Sequence, residues 1–222
     1  DILENKMINK IIKFTNWPLS KKIRFVIHEY HKIKTQIFYK IIFKSLKQNS
    51  IIINPLFITA EYISVGQNVL IMNDARIEGV DHYANKRYSP HIILADGVTI
   101  QQRCHITAAD NLKIGKNTTI LFDVMITNID HEYEDLTKPI ANQPLKVKKT
   151  QIGENCFIGS GAKIQAGTIL GRHCVVGTNA VVRGQFPDYS VIVGVPAGIV
   201  KRYDEETKKW KKTNSKGDFI NE

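Results

Sequence analysis

Gln151-Ile152-Gly153-Glu154-Asn155-Cys156-Phe157-Ile158-Gly159-Ser160-Gly161-Ala162-Lys163-Ile164 decides the fold. A branched aliphatic residue returns at 152, 158 and 164, and the beat of six continues through Leu170, Val176 and Val182. The same beat carries Ile114, Ile120 and Ile126 and, after a slip of two, Leu94, Ile100 and Ile106. Four residues after most anchors stands something small or β-branched, such as Val98, Cys156, Ala162 or Thr168. A period of six is the signature of a parallel β-helix. Simple strand alternation would need an apolar residue at every second position, and the quoted stretch does not alternate for long enough. With three hexapeptides to a turn, Ile152 lies under Leu170, Ile158 under Val176 and Ile164 under Val182, one strand spacing of about 4.8 Å apart. Stacking of this kind buries the anchors and gives each backbone group a partner in the next turn, so the array is stable where a single repeat is not. The spacing leaves the hand of the coil open; strand crossovers in general favour the right hand.

The interruptions of the rhythm are as informative as the rhythm. Residues 83–93, 112–113 and 132–151 each follow the third hexapeptide of a turn, so all three extrusions are expected at one corner of a triangular prism. Function tends to sit on loops held by a rigid scaffold. The longest, 132–151, contains Pro139 and Pro144 and is expected to be functional.

The chain of 222 residues carries a net charge of +10, unevenly spread. Residues 1–50 hold eleven Lys/Arg against three Asp/Glu, residues 201–222 hold seven against five, and the stretch between is neutral. Residues 1–50 read as a basic amphipathic helical segment. Ile8, Ile11 and Ile12 mark one helix; Val26, Ile27, Tyr30, Ile33, Ile37 and Ile41 mark a second after Pro18, with Ser20 as its cap. The apolar stripe needs a cover: the end of the β-helix, a neighbouring subunit or, as the alternative, peripheral contact with a membrane surface. His28 and His31 are expected on the surface. Residues 51–203 form the β-helix domain, and 204–222 are expected to be a short helix with acid first and base last, then a tail. A basic end can face nucleic acid, anionic lipid or an anionic substrate, or be a solvated helix face; nucleic acid is not expected as partner. Three cysteines at inward positions, no signal-type apolar segment and no run of eighteen apolar residues point to free thiols in a cytoplasmic protein, with the inner face of the membrane as the peripheral option.

The repeated Ile-Gly-x-Asn-x-x-Ile-Gly and the closing run Phe186-Pro-Asp-Tyr-Ser-Val-Ile-Val-Gly-Val-Pro-Ala-Gly-Ile-Val-Lys-Arg-Tyr203 resemble the hexapeptide-repeat acyltransferases. Within them the resemblance is to O-acetyltransferases of bacterial surface polysaccharide and to galactoside- and maltose-type sugar acetyltransferases. It implies an all-β core, a left-handed parallel β-helix, acetyl-CoA as co-substrate, a carbohydrate acceptor and a homotrimer with sites at subunit interfaces. By position it also implies CoA contacts at Ser160, Ala162, Thr178, Asn179, Pro196 and Lys201, with Phe157 beside the acceptor. Ser160 and Ala162 match a turn that offers a backbone N–H to the oxyanion. Gly198 stands where galactoside acetyltransferase has a basic residue, which weakens the phosphate assignment.

Acetyl transfer to a hydroxyl needs a base, and histidine, with an ordinary pKa of roughly 6.5, suits the task near neutral pH. In the family the base is a His after a Val/Ile-Thr-x-x-x pattern; Ile126-Thr127-Asn128-Ile129-Asp130-His131 matches it, making His131 the candidate. Asp130 or Glu132 is expected to orient the ring or meet the acceptor together with Tyr133. His105, placed at another corner of its own subunit, would reach a site only across the assembly, as an acceptor contact. The γ-class carbonic anhydrases, also β-helices, hold zinc with histidines of two subunits, but His131 has no His four or five residues away, so no metal is expected. Transfer to the amine of an amino-sugar nucleotide is the alternative chemistry, and an inert scaffold the second alternative.

Overall fold

The computed structural model describes residues 14–220. Its core is a three-faced parallel coil. The first face stacks Ser45–Leu46, Ile63–Val65, His91–Leu94, Asn111–Ile114, Thr150–Ile152, Ile169–Leu170 and Gln185–Phe186. The second runs from Ile51–Ile52 through Leu70–Ile71, Thr99–Ile100, Thr119–Ile120, Phe157–Ile158 and Val175–Val176 to Ser190–Gly194. The third stacks Phe57–Ile58, Arg76–Gly79, His105–Ala108, Met125–Thr127, Lys163–Ile164 and Val181–Val182. The register expected from the spacing holds: Ile152 pairs with Leu170, Ile158 with Val176 and Ile164 with Val182. These anchors are buried almost completely, so the prism is filled by three columns of branched aliphatic side chains.

Local chemistry explains the corners. Asn68, Asn117, Asn155 and Asn179 adopt positive φ there, a conformation that Asn tolerates better than most residues. Gly153 has no choice of side chain, because a Cβ would collide with the Gly171 carbonyl of the next turn. Cys104, Cys156 and Cys174 are free and buried, and burial pushes the Cys104 thiol up to about 11.

All three extrusions leave at one corner, between the third face and the first, but about three residues earlier than expected: 91–93, 112–113 and 150–151 are first-face strand residues, and His131 lies within the third extrusion. The extrusions lie between Arg76–Gly79 and His91–Leu94, between His105–Ala108 and Asn111–Ile114, and between Met125–Thr127 and Thr150–Ile152.

The two ends of the chain depart from expectation. The C-terminal segment is no helix: Lys209–Lys212 is a strand, antiparallel to Ala197–Asp204, which itself pairs back on Ser190–Gly194. The acid-first, base-last pattern that suggested a helix is met across the hairpin instead. Asp204 takes Lys211 at 2.5 Å, the Thr207 hydroxyl at 2.7 Å and the Glu206 amide at 3.0 Å, and Lys208 turns at positive φ.

At the other end, α1 spans Leu19–Lys34 and continues through a π-helical turn, Thr35–Tyr39, and a last α-helical turn, Lys40–Ile42. Pro18, not Ser20, occupies the cap position. The helix marked by Ile8, Ile11 and Ile12 falls outside the described residues. His31 is buried rather than on the surface, because α1 docks on the coil through His31, Thr35 and Tyr39. The Thr35 hydroxyl donates to the His31 carbonyl (2.7 Å) and accepts from the Ile52 amide (2.9 Å), tying the helix to the start of the second face.

Candidate active site

The third face carries two outward rungs beside its anchors Ile77, Ile106 and Ile126. Arg76, His105 and Met125 align on one, Glu78, Thr107 and Thr127 on the other. Past the second rung the chain leaves the coil at Asn128, a buried side chain that brackets the exit. Its Oδ1 accepts from the Ala109 amide (2.9 Å) and its Nδ2 donates to the Asp110 carbonyl (3.1 Å). Ile129–His131 then runs antiparallel to Leu145–Val147 as the base of the long extrusion, and Gln143, also buried, closes the loop by donating to the Asp135 and Lys138 carbonyls.

The first extrusion folds against the third. His82–Tyr83 and Lys86–Arg87 make a small hairpin, and the Tyr88 hydroxyl beyond it accepts from the Leu145 amide at 2.8 Å. The Tyr83 ring meets the His131 imidazole edge-on, with centroids 5.4 Å apart. Rungs and hairpins together enclose an open groove of about 300 Å³. His131 lies at its hairpin end and His105 on the rung nearest the start of the third face.

His105 therefore sits otherwise than the sequence suggested. It shares a groove with His131 in one and the same chain, because the third-face strands run from their first outward position straight toward the corner of extrusion. Partial desolvation comes first, then the Arg76 and Lys163 cations; against the opposing charge of Glu78 they hold His105 below the ordinary histidine value. Arg76 is itself turned to Glu78, donating from Nε at 2.9 Å and Nη2 at 2.5 Å.

The neighbours of His131 in sequence do not orient it. Asp130 faces the other way, where Oδ2 accepts from Lys148 (2.7 Å) and Arg183 (2.5 Å). Although partial burial works against it, these two cations keep the Asp130 carboxyl below its usual range. The Glu132 amide is taken by the Pro144 carbonyl, and Tyr133 projects into solvent.

The positions that resemblance assigned to CoA lie apart from this groove. Ser160, Thr178 and Asn179 occupy the corner between the second and third faces, one turn apart, and the Asn179 amide donates to the Ser160 carbonyl at 2.9 Å. Ala162 is wholly buried in the core, and its amide donates to the Gly159 carbonyl (3.2 Å) inside the turn; it is a core residue. Lys201 lies on the second face, as does Phe157, which was expected beside the acceptor, and Pro196 is at the exposed tip of the terminal hairpin.

Arg76, Glu78, Tyr83, Thr107 and Thr127 were missed by sequence reading. Four of them had a signal, since they are the outward neighbours of third-face anchors; Tyr83 had none, because its approach depends on how two extrusions fold together.

The family described as bacterial transferase hexapeptide (six repeats) matches residues 149–184. WbbJ of Escherichia coli (strain K12), assigned by name to lipopolysaccharide biosynthesis as an O-acetyl transferase, is 35% identical over 54% of this chain and 65% of its own length. Rv3034c of Mycobacterium tuberculosis, assigned by name as an acetyltransferase, is 31% identical over 67% of this chain and 52% of its own. The chain thus spans less than two thirds of either curated relative. Among solved structures, AntD of Bacillus cereus, an N-acyltransferase in complex with dTDP and 3-hydroxybutyryl-CoA, superposes with a TM-score of 0.65 at 18% identity, over 78% of this chain and 90% of that one. At that identity the likeness shows the fold alone. Repeat, coil and relatives agree: residues 149–184 carry the bacterial transferase hexapeptide repeat, and the chain has the left-handed parallel β-helix of that repeat.

Proposed function

We propose that this chain is an acetyl-CoA-dependent O-acetyltransferase acting on a sugar hydroxyl in surface-polysaccharide assembly. The observation that carries the reading is His131 at the hairpin end of the third-face groove, displayed beside the one corner where all three extrusions leave the coil. The name of WbbJ supports oxygen as the acceptor and polysaccharide as the setting.

In this mechanism His131 takes the proton of the acceptor hydroxyl as its oxygen attacks the thioester carbon. The tetrahedral intermediate collapses by breaking the carbon–sulfur bond, and the imidazolium returns its proton to the departing thiolate, so acetyl passes directly with no acyl-enzyme. Tyr83 fixes the plane of the imidazole. His105, kept neutral by its surroundings, and Glu78 on the next rung are acceptor contacts. The thioester arm runs along the corner of Ser160, Thr178 and Asn179. Since that corner and His131 flank opposite edges of the third face, a complete site takes the base from one protomer and the corner from its neighbour in a homotrimer.

The test is thiol release by the purified chain with acetyl-CoA and a panel of sugars, nucleotide sugars and oligosaccharides, with products weighed by mass spectrometry. Gain of one acetyl group on a hydroxyl acceptor is the expected result. Turnover only with amino sugars would make the enzyme an N-acetyltransferase, and absence of CoA binding by calorimetry would leave a scaffold.

A further inference from the structure

A surface helix of a folded protein ordinarily turns its apolar stripe inward and its charges outward. The helical segment from Leu19 to Ile42 leaves most of its apolar residues outward as well. Its docked side is narrow, with His31, Thr35 and Tyr39 buried on the coil, while Ile23, Val26, Tyr30, Ile33, Ile37 and Ile41 stand in solvent; Ile33 is 58%, Ile37 66% and Ile41 80% exposed. Their spacing of three and four residues makes one continuous ridge, and 24 residues at about 1.5 Å each give it a length of roughly 36 Å. Among the described residues no helix is long and apolar enough to cross a membrane, so the ridge can lie along an apolar surface but not span it.

Charge selects the occupant. Between Leu19 and Lys47 stand eight Lys/Arg and a single acid, Glu29. Lys22 and Lys40 flank the ridge, and Lys21 lies over the Trp17 ring at 4.2 Å beside the Phe14, Trp17 and Phe25 cluster, the kind of aromatic end that settles at headgroup level. A second copy of this helix would set lysine against lysine along the seam. An anionic bilayer meets both halves of the pattern, with acyl chains for the ridge and headgroup charge for its flanks.

We propose that α1 and its two following turns form a membrane-surface anchor that seats the coil on anionic lipid. The inference does not depend on the acetyl-transfer reading. The 222-residue chain is sedimented with vesicles of phosphatidylcholine alone and with phosphatidylglycerol added. Binding is expected only to the anionic vesicles and should be largely lost in 1 M salt, where charge is screened beyond about 3 Å. Lys22→Gln with Lys40→Gln and Lys44→Gln should weaken it about a hundredfold, at roughly fivefold per charge. Ile33→Glu with Ile37→Glu should abolish it while thermal unfolding stays unchanged, since both side chains stand in solvent. Equal binding to neutral vesicles, or no binding to anionic ones, overturns the proposal. So does a double Glu variant that still binds lipid, or one that dissociates an oligomer which never bound lipid.

Discussion

The Tyr83 ring packs edge-on against the imidazole of His131, centroid to centroid at 5.4 Å, although the two residues belong to different extrusions of the coil. A turn of the repeat that carries no extrusion has nothing to place in this position. Two loops must leave the same corner before one can steady a side chain on the other.

Tyr83 is accordingly a positioning residue. Tyr83→Ala should lower kcat about 10–100-fold, the usual cost of a misplaced reacting group, with little change in KM. Tyr83→Phe, which keeps the ring, should restore most of it. A purely structural role would instead lower the melting temperature in both variants alike.

Asn128 holds the exit from the coil through two hydrogen bonds made in a buried place. Asn128→Leu leaves the Ala109 amide and the Asp110 carbonyl without partners and should cost about 2–4 kcal/mol in urea unfolding. The same variant should lose turnover beyond its stability loss, because the strand bearing His131 starts here.

His31, His91 and His105 are all held below the ordinary histidine value, each first by burial, then by neighbouring cations: Lys34 at His31, Lys44 at His91, Arg76 at His105. The unfolded chain therefore binds protons more readily than the folded one just below the ordinary value of about 6.5. Stability should be flat above that pH and fall as the pH drops through the depressed folded values. Melting temperature against pH measures this. His31→Gln, which removes a buried imidazole whose Nδ1 has no partner, should flatten part of the slope.

The coil was legible in the sequence because a six-residue period constrains backbone and burial together. Anchors such as Ile158 and Val176 had nowhere else to stack. The corner of the three extrusions was legible too, by counting anchors. His105 was misplaced because that count fixes which face a residue belongs to, but not how far along the face a groove extends. The terminal hairpin was misread because Asp204 and Lys211 are as well satisfied across a turn as along a helix, and only packing of Ile199 on the coil end decides between them. The docking of α1 was beyond periodicity altogether: a stripe in sequence does not say which side of the helix meets the fold.

His105 should act on the acceptor rather than on the proton. His105→Ala should raise the acceptor KM several-fold, leave the KM for acetyl-CoA unchanged, and keep the shape of the pH dependence of kcat/KM.

In the proposed mechanism His131 is the base. His131→Ala should fold as the wild type does, since an exposed residue on a hairpin adds little to the stacked aliphatic core, and should bind CoA within a few-fold. Turnover should fall by about 10²–10⁴, the usual worth of a positioned general base. Any rise of kcat/KM with pH that the wild type and His105→Ala share should be missing from the mutant. If His131→Ala retains more than about a tenth of wild-type turnover while His105→Ala loses nearly all, the base is His105 and this account of the site is wrong.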